Sequence, residues 1–545
     1  MKKYFNEIKY LSFAIGLVII VKITQYFFLL PFIERAFYGE SIQYLNELIS
    51  RHASKAPYTR TIEFYLTEAP KFVNRLLFLS LLFLFLSYFL LKDKSNRVRS
   101  FFLSTEPGLS LAIVRITVVS VILFSNFPDK LNSVLTLGPD NIYPPPGWSK
   151  SLIELLIEQP FIDLFQISFV VFLIGALIGF YTNHMLLGAL ITGFVVMGVP
   201  QFFGKIDHYH ILWYSLFILS VSDSGNSLSI DNWLKKRAQL NFQKAARFGL
   251  PLKIVMILIG ITYLFPGIWK FTFSGLEWAF SDNLKYKLYS KWVEFPEWTP
   301  IFRLDKYPFI YQSAAFITLI VEIGFVFALF FKKIRPLFII SALGFHFFVF
   351  LFLKISFLGH VLMYVVFINW DSVFKKTSLF VKKIGHLKHE ILPVDKIKIR
   401  IQIMVGSILI VGSSLSGTLL IDSWPFGVYP TFASIENDTI PSISIVIENG
   451  SSNSKTTVIP LIESEFHSLF DNVGRLRKET ERLYRANSVN QKDVKEFIDT
   501  LENSFITSND PHTITFYKIR ISTDPDVLER IESVEEQIIQ VMIAQ

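Results

Sequence analysis

Eleven apolar runs constrain this chain more than any other feature. They fall at 11–32, 75–91, 109–127, 162–181, 185–203, 208–222, 249–270, 309–331, 336–353, 355–370 and 399–421. A helix crosses a hydrocarbon core of about 30 Å with ~20 apolar residues, and it satisfies its own backbone hydrogen bonds while doing so. Runs of that length, recurring along 545 residues, predict an all-α polytopic membrane protein with about eleven transmembrane helices. The first run follows Lys2, Lys3 and Lys9 as a signal sequence would, but it is too long for a signal core and no small-x-small cleavage site follows, so it reads as a helix. Composition agrees: 51% of residues are hydrophobic and 18% charged, against about 25% charged in soluble domains. There is no cysteine, which excludes disulfides, thiol nucleophiles and thiolate metal sites.

The net charge of +8 is a topology signal rather than a nucleic-acid patch, because the bases sit in short clusters between apolar runs. Lys92, Lys94, Arg97 and Arg99 form one cluster, and Lys235, Lys236, Arg237, Lys244 and Arg247 a second. Lys332, Lys333 and Arg335 form a third, and 375–400 carries eight more Lys or Arg. Eleven spans place all four on one side, expected to be cytoplasmic, with the N-terminus inside and the C-terminal region outside. The opposite loops, 33–73, 128–161 and 271–308, are rich in Pro, Trp and Tyr and read as ordered lids.

After Ile421 the pattern changes. "SISIVIENG" and "HTITFYKIRIS" alternate apolar and polar residues as strands do, whereas 463–505 and 525–543 have helical periodicity. Three parts follow: an N-terminal two-helix segment with an outer loop (1–104), a multi-helix membrane domain (105–423), and a small extracytoplasmic α+β domain (424–545).

Polar residues inside the spans carry the functional information, since a bilayer makes them expensive. Arg115 in "LAIVRITVV" and Glu322 in "LIVEIGFVF" fall at depths that suit a structural ion pair. Gly175 and Gly179 in "GALIG" share a helix face and suit close packing. His208, His210, His360 and Lys270 converge at the outer level, with His346 near mid-span. Lys270 in "GIWKFTFSGLEWAF" is either an interfacial anchor or a base kept dry by Trp269, Phe271, Phe273 and Trp278. "DHYH" at 207–210 offers three metal donors, but side chains two apart diverge on a helix, so no metal is expected.

Five segments occur in a telling order: "LAIVRI" (111–116), "DHYHILWYSLFILSVSDSGNSLSID" (207–231), "GIWKFTFSGLEW" (267–278), "FFKKIRP" (330–336) and "FHFFVFLFLKISFLGHVLMYVVFINW" (345–370). Over roughly 105–430 the chain resembles the horizontally transferred transmembrane domain family, which includes the vitamin K-dependent γ-glutamyl carboxylases. The resemblance implies a reduced naphthoquinone, menaquinol or vitamin K hydroquinone, with O2 and CO2 as co-substrates. In that chemistry a lysine amine deprotonates the quinol, oxygen adds to give a strongly basic species and then the epoxide, and a peptide glutamate is carboxylated. Lys270 matches the family's lysine, and His208, 21 residues before Ser229 of "SID", matches its active-site histidine. Trp269, His346 and His360 would line the quinol pocket, beside Asp207, which stands where the carboxylases have asparagine. The large lumenal substrate-binding region of the carboxylases has no obvious counterpart here.

Two functions follow. One is a quinol-oxidising membrane enzyme, an epoxidase coupled or not to peptide carboxylation, with lipid-soluble quinol and a secreted peptide or protein as partners. The other is a non-enzymatic bundle that binds membrane lipid or a secreted peptide for maturation, export or anchoring.

Overall fold

A computed structural model describes residues 2–53, 60–92, 97–136, 139, 142–234, 244–295, 300–370, 372–373, 395–427, 432–449, 455–458, 484, 512–527 and 531–543. The principal elements are α1 (Lys2–Thr24), α2 (Ile62–Lys92), α3 (Gly108–Phe124), α4 (Phe161–Ile178), α5 (Thr182–Val196), α6 (His210–Ser220), α7 (Ala246–Ser274), α8 (Asn283–Glu294), α9 (Pro308–Ala328), α10 (Arg335–Leu353), α11 (Leu358–Leu362) and α12 (Lys396–Leu419). A π-helical turn, Gln25–Leu29, and a further helix, Leu30–Phe37, prolong α1. Among the described residues, nine helices are long and apolar enough to cross a bilayer, so the protein is a multi-pass helical membrane protein. The runs at 208–222 and 355–370 fold as shorter apolar helices, His210–Ser220 and Leu358–Phe367.

The bundle is built around α7. In its most apolar stretch 83% of the residues are buried, against 6% in α1 and α2, which lie at the periphery. Glycines set how closely its neighbours approach: a Cβ at Gly260 would sit 3.0 Å from Val326 Cβ, and one at Gly267 would sit 2.7 Å from Glu322 Cβ, both on α9. Gly175 and Gly179 also mark tight contacts, the first against Met185 and the second, at φ +73°, against Ser229 and Arg115.

Contacts gather the basic clusters at one end of the bundle. Arg97 lies over Phe331 and Arg335 over Phe101. Arg247 and Lys398 both pair with Asp223. Gly249 packs on the Ser104 carbonyl, and Lys253 bonds Glu106 at 2.9 Å, which joins the two groups.

The C-terminal region forms an antiparallel sheet of β1 (Thr439–Asn449), β2 (Lys455–Val458), β3 (His512–Ser522) and β4 (Ile531–Ile543), in the order β2-β1-β3-β4. The two predicted strands are β1 and β3. The helix expected over 525–543 is instead β4, and the reason lies in its pairing with β3. Residues 532, 535 and 538 of β4 have no counterpart, so the ladder shifts at Phe516/Tyr517, Lys518/Ile519 and Arg520/Ile521. Extra residues inserted every third position break two-residue alternation and imitate a helical period. The predicted helix at 463–505 lies outside the described residues, apart from Tyr484.

Candidate functional site

Toward the end of α7 away from the basic clusters, the helices enclose a cavity of about 120 Å³, where a single water needs about 10–15 Å³. Its walls follow from helical spacing. Tyr263, Pro266 and Lys270 recur every three or four residues along one face of α7, with Thr262 beside them. Ala315, Thr318 and Glu322 do the same on α9, and His346, Val349 and Leu353 on α10. His360 on α11 and His208, just before α6, complete the wall. Trp278, from the turn after α7, and Leu284 and Lys287 of α8 roof the cavity together with Phe432.

Lys270 is 4% exposed and donates to Glu322 Oε1 at 2.5 Å. Its ammonium position lies 5.3 Å from the centroid of the Trp278 ring. Gly267, one turn before Lys270, lets α9 come close enough for this bond, since any larger residue would strike Glu322. Tyr263, two turns before Lys270, joins its hydroxyl to His346 Nε2 and, at 2.7 Å, to the Tyr364 hydroxyl. The His346 and His360 rings lie 5.2 Å apart, and His208 packs 5.3 Å from Phe357. Three buried atoms in this wall, Glu322 Oε2, His346 Nδ1 and His360 Nε2, have no partner within the protein. A partly open, mostly apolar space with a few convergent polar atoms that lack partners suits a ligand that is mostly hydrocarbon and carries hydroxyl groups.

Of the residues read from the sequence, Lys270, His208, His346 and His360 meet in this cavity. Trp269 does not line it: its indole turns to α12 and donates to the Gly417 carbonyl at 2.8 Å. Asp207 also stays outside the wall and pairs with Lys205 at 3.2 Å. His210 leaves the group as well, bonding the Ser423 carbonyl at 2.9 Å and packing on Trp424. Arg115 and Glu322 are not paired. Arg115 donates to the carbonyls of Ser224 and Leu228, at 2.9 and 2.5 Å, while Glu322 takes Lys270. Asp231 of "SID" caps α5, accepting from the backbone of Tyr181 and Thr182 at 2.8 Å. That part of the motif therefore orders the opposite end of the bundle.

Tyr263 and Lys287 were missed in the sequence. Tyr263 had a usable signal, because seven residues separate it from Lys270 and two helical turns keep both on one face. Lys287 had none: its ammonium sits beneath the C-terminal sheet, 2.9 Å from the Ser434 carbonyl and 3.4 Å from Glu436. The same region holds the sheet down. Trp278 donates to the Phe432 carbonyl, Asn283 accepts from the Glu436 backbone, and Arg303 and Lys306 both bond Asp526. These hydrogen bonds from Arg303 and then Lys306 hold the Asp526 carboxyl well below its ordinary range.

The described residues contain no group of three or more His, Cys, Asp or Glu able to hold a metal. The chain matches no family model, no curated protein and no solved structure.

Proposed function

We propose that this protein is a membrane enzyme of the horizontally transferred transmembrane domain family that takes a proton from a lipid-soluble naphthoquinol inside the bundle. The observation that carries the reading is the buried Lys270–Glu322 pair opening on an apolar cavity whose wall holds polar atoms without partners. In this reading α6 and the 358–367 segment complete eleven crossings, the basic end faces the cytoplasm, and the sheet lies outside the membrane.

Each residue has a distinct task. In a medium of low dielectric, a lysine–carboxylate pair is costly as two charges, and moving the shared proton to Glu322 leaves neither group charged. Lys270 then has a free lone pair and serves as the base. Trp278 keeps water from the amine, and the faces of Phe345, Phe348 and Phe357 accept the fused rings. His360 and His208 receive or orient the quinol hydroxyls. Tyr263 fixes the His346 ring through one nitrogen and leaves the other for the ligand. A bound quinol supplies two ionisable hydroxyls and a reducing ring, with O2 as oxidant. Carboxylation of a secreted peptide with CO2 would be a coupled second step, reached beneath the roof at Phe432.

The test uses purified protein in lipid nanodiscs with reduced menaquinone or vitamin K, oxygen and bicarbonate, and follows epoxide by chromatography. Epoxide is expected from the wild type and not from Lys270→Ala. Epoxide from both proteins, or from neither, removes the mechanism.

A further inference from the structure

A second cavity lies in the seam between α1 and α2. It is an apolar groove of about 460 Å³, walled by Leu11 and Ala14 of α1 and by Leu81, Leu84 and Phe85 of α2. Tyr10 and Tyr88 close its lower end, with ring centroids 5.0 Å apart.

The upper end of the same seam is polar. Lys22 has no charged neighbour in its own helix between Lys9 and Glu34, 13 and 12 residues away, or about 18–20 Å in either direction. A lysine so placed is expensive in a bilayer and marks a binding site by default. Lys22 Nζ lies 2.6 Å from Asn74 Oδ1 and 3.4 Å from Gln25 Oε1, both neutral acceptors. Gln25 opens the π-helical turn, is 1% exposed, and its amide nitrogen has no partner. Next to Asn74, Arg75 spends its guanidinium on the carbonyls of Thr272 and Phe273 at the end of α7. Among the described residues neither Lys22 nor Arg75 meets a carboxylate. The head of the seam thus holds two cations and one buried, unused donor, and the groove begins at Ala14 of α1, eight residues or about 12 Å along the helix from Lys22, a distance an acyl chain covers.

We infer that the α1–α2 seam is a binding site for one anionic phospholipid, its phosphodiester held by Lys22 and Gln25 beside Arg75 and an acyl chain lying in the groove. Charge selects the headgroup class, because a zwitterionic lipid would bring a further ammonium to a place that already has two cations. The groove selects a lipid over free phosphate, since only a chain covers Leu11, Ala14 and Leu81. A bound lipid would tie the peripheral α1 to α2, and Arg75 already ties α2 to the end of the Lys270 helix.

Native mass spectrometry of the full chain tests this after equilibration with phosphatidylglycerol, phosphatidylcholine or glycerol phosphate. One phosphatidylglycerol per chain should be retained over phosphatidylcholine, with no glycerol phosphate retained. Lys22→Gln should weaken retention about tenfold, as expected for loss of a charge-assisted hydrogen bond, and Lys22→Arg should restore it. Ala14→Phe, which fills the groove, should also lose the lipid. Equal retention of the two phospholipids by the wild type overturns the proposal without reference to any variant. So does undiminished phosphatidylglycerol retention by Lys22→Gln, or binding of glycerol phosphate alone.

Discussion

Arg115 and Lys270 are both cations buried in one bundle, near opposite ends of α7, yet their surroundings differ in kind. Arg115 lies among main chain: two of its nitrogens end on the carbonyls of Ser224 and Leu228, and Gly179 packs against it. Lys270 lies among side chains, bonded to one carboxylate beside a cavity whose wall holds three unsatisfied polar atoms. A cation tied to carbonyls fixes a loop in place and has no acceptor able to exchange a proton with it. A cation tied to a carboxylate shares a proton that either partner can keep. Burial therefore does not separate the two cations, whereas the identity of the acceptor does.

The sharpest way to break this contrast is Lys270→Met. Turnover in the epoxide assay should fall by about 10²–10⁴, the usual contribution of a positioned general base, while the protein still purifies as a folded species. Arg115→Met should do the reverse. It removes two charge-assisted hydrogen bonds at once and should cost about 3–5 kcal/mol, seen as a lower unfolding temperature in detergent. A catalytic defect in Arg115→Met without any loss of stability would erase the distinction.

Next in size is a double replacement. Glu322→Leu alone breaks the buried pair by removing one partner and should cost about 3 kcal/mol or more, whereas Lys270→Met/Glu322→Leu should return to within about 1 kcal/mol of wild type. Thermal unfolding of the three proteins measures this directly, and a double variant less stable than either single one contradicts it. The smallest effect concerns the roof. Asp526 has a depressed folded pKa through Arg303 and Lys306, so its contribution is present above the unfolded value of about 3.9 and is lost as pH falls further. The pair is half exposed, which limits it to about 1 kcal/mol. Between pH 6 and pH 3, proteolysis of the C-terminal sheet should rise more in the wild type than in Asp526→Asn.

The helices were legible because apolar runs of bilayer length have few other solutions; depth set His208, His210, His360 and Lys270 at one level and the family resemblance added His346, and all of these but His210 line the cavity. For Arg115 and Glu322 the level itself was misjudged: they were assigned to each other by depth, yet Glu322 bonds Lys270, near the end of α7 opposite to Arg115. Depth also does not specify rotation. Trp269 was placed in the pocket as a sequence neighbour of Lys270, but one residue turns a helix by about 100° and directs that indole to α12. Trp278, eight residues further on, covers the amine instead. The β4 strand was hidden by its own bulges, since alternation is readable only while the register holds.

Phe432 reaches the cavity from a segment that follows, among the described residues, all nine helices long and apolar enough to cross a bilayer. Synthesis proceeds from the N-terminus, so the bundle is assembled with this chamber uncovered and is sealed only when the last portion of the polypeptide settles onto Trp278, Asn283 and Lys287. The Lys270–Glu322 pair would then be covered only in finished molecules, and a nascent chain stalled before residue 432 would hold the same lysine and carboxylate in an open vessel.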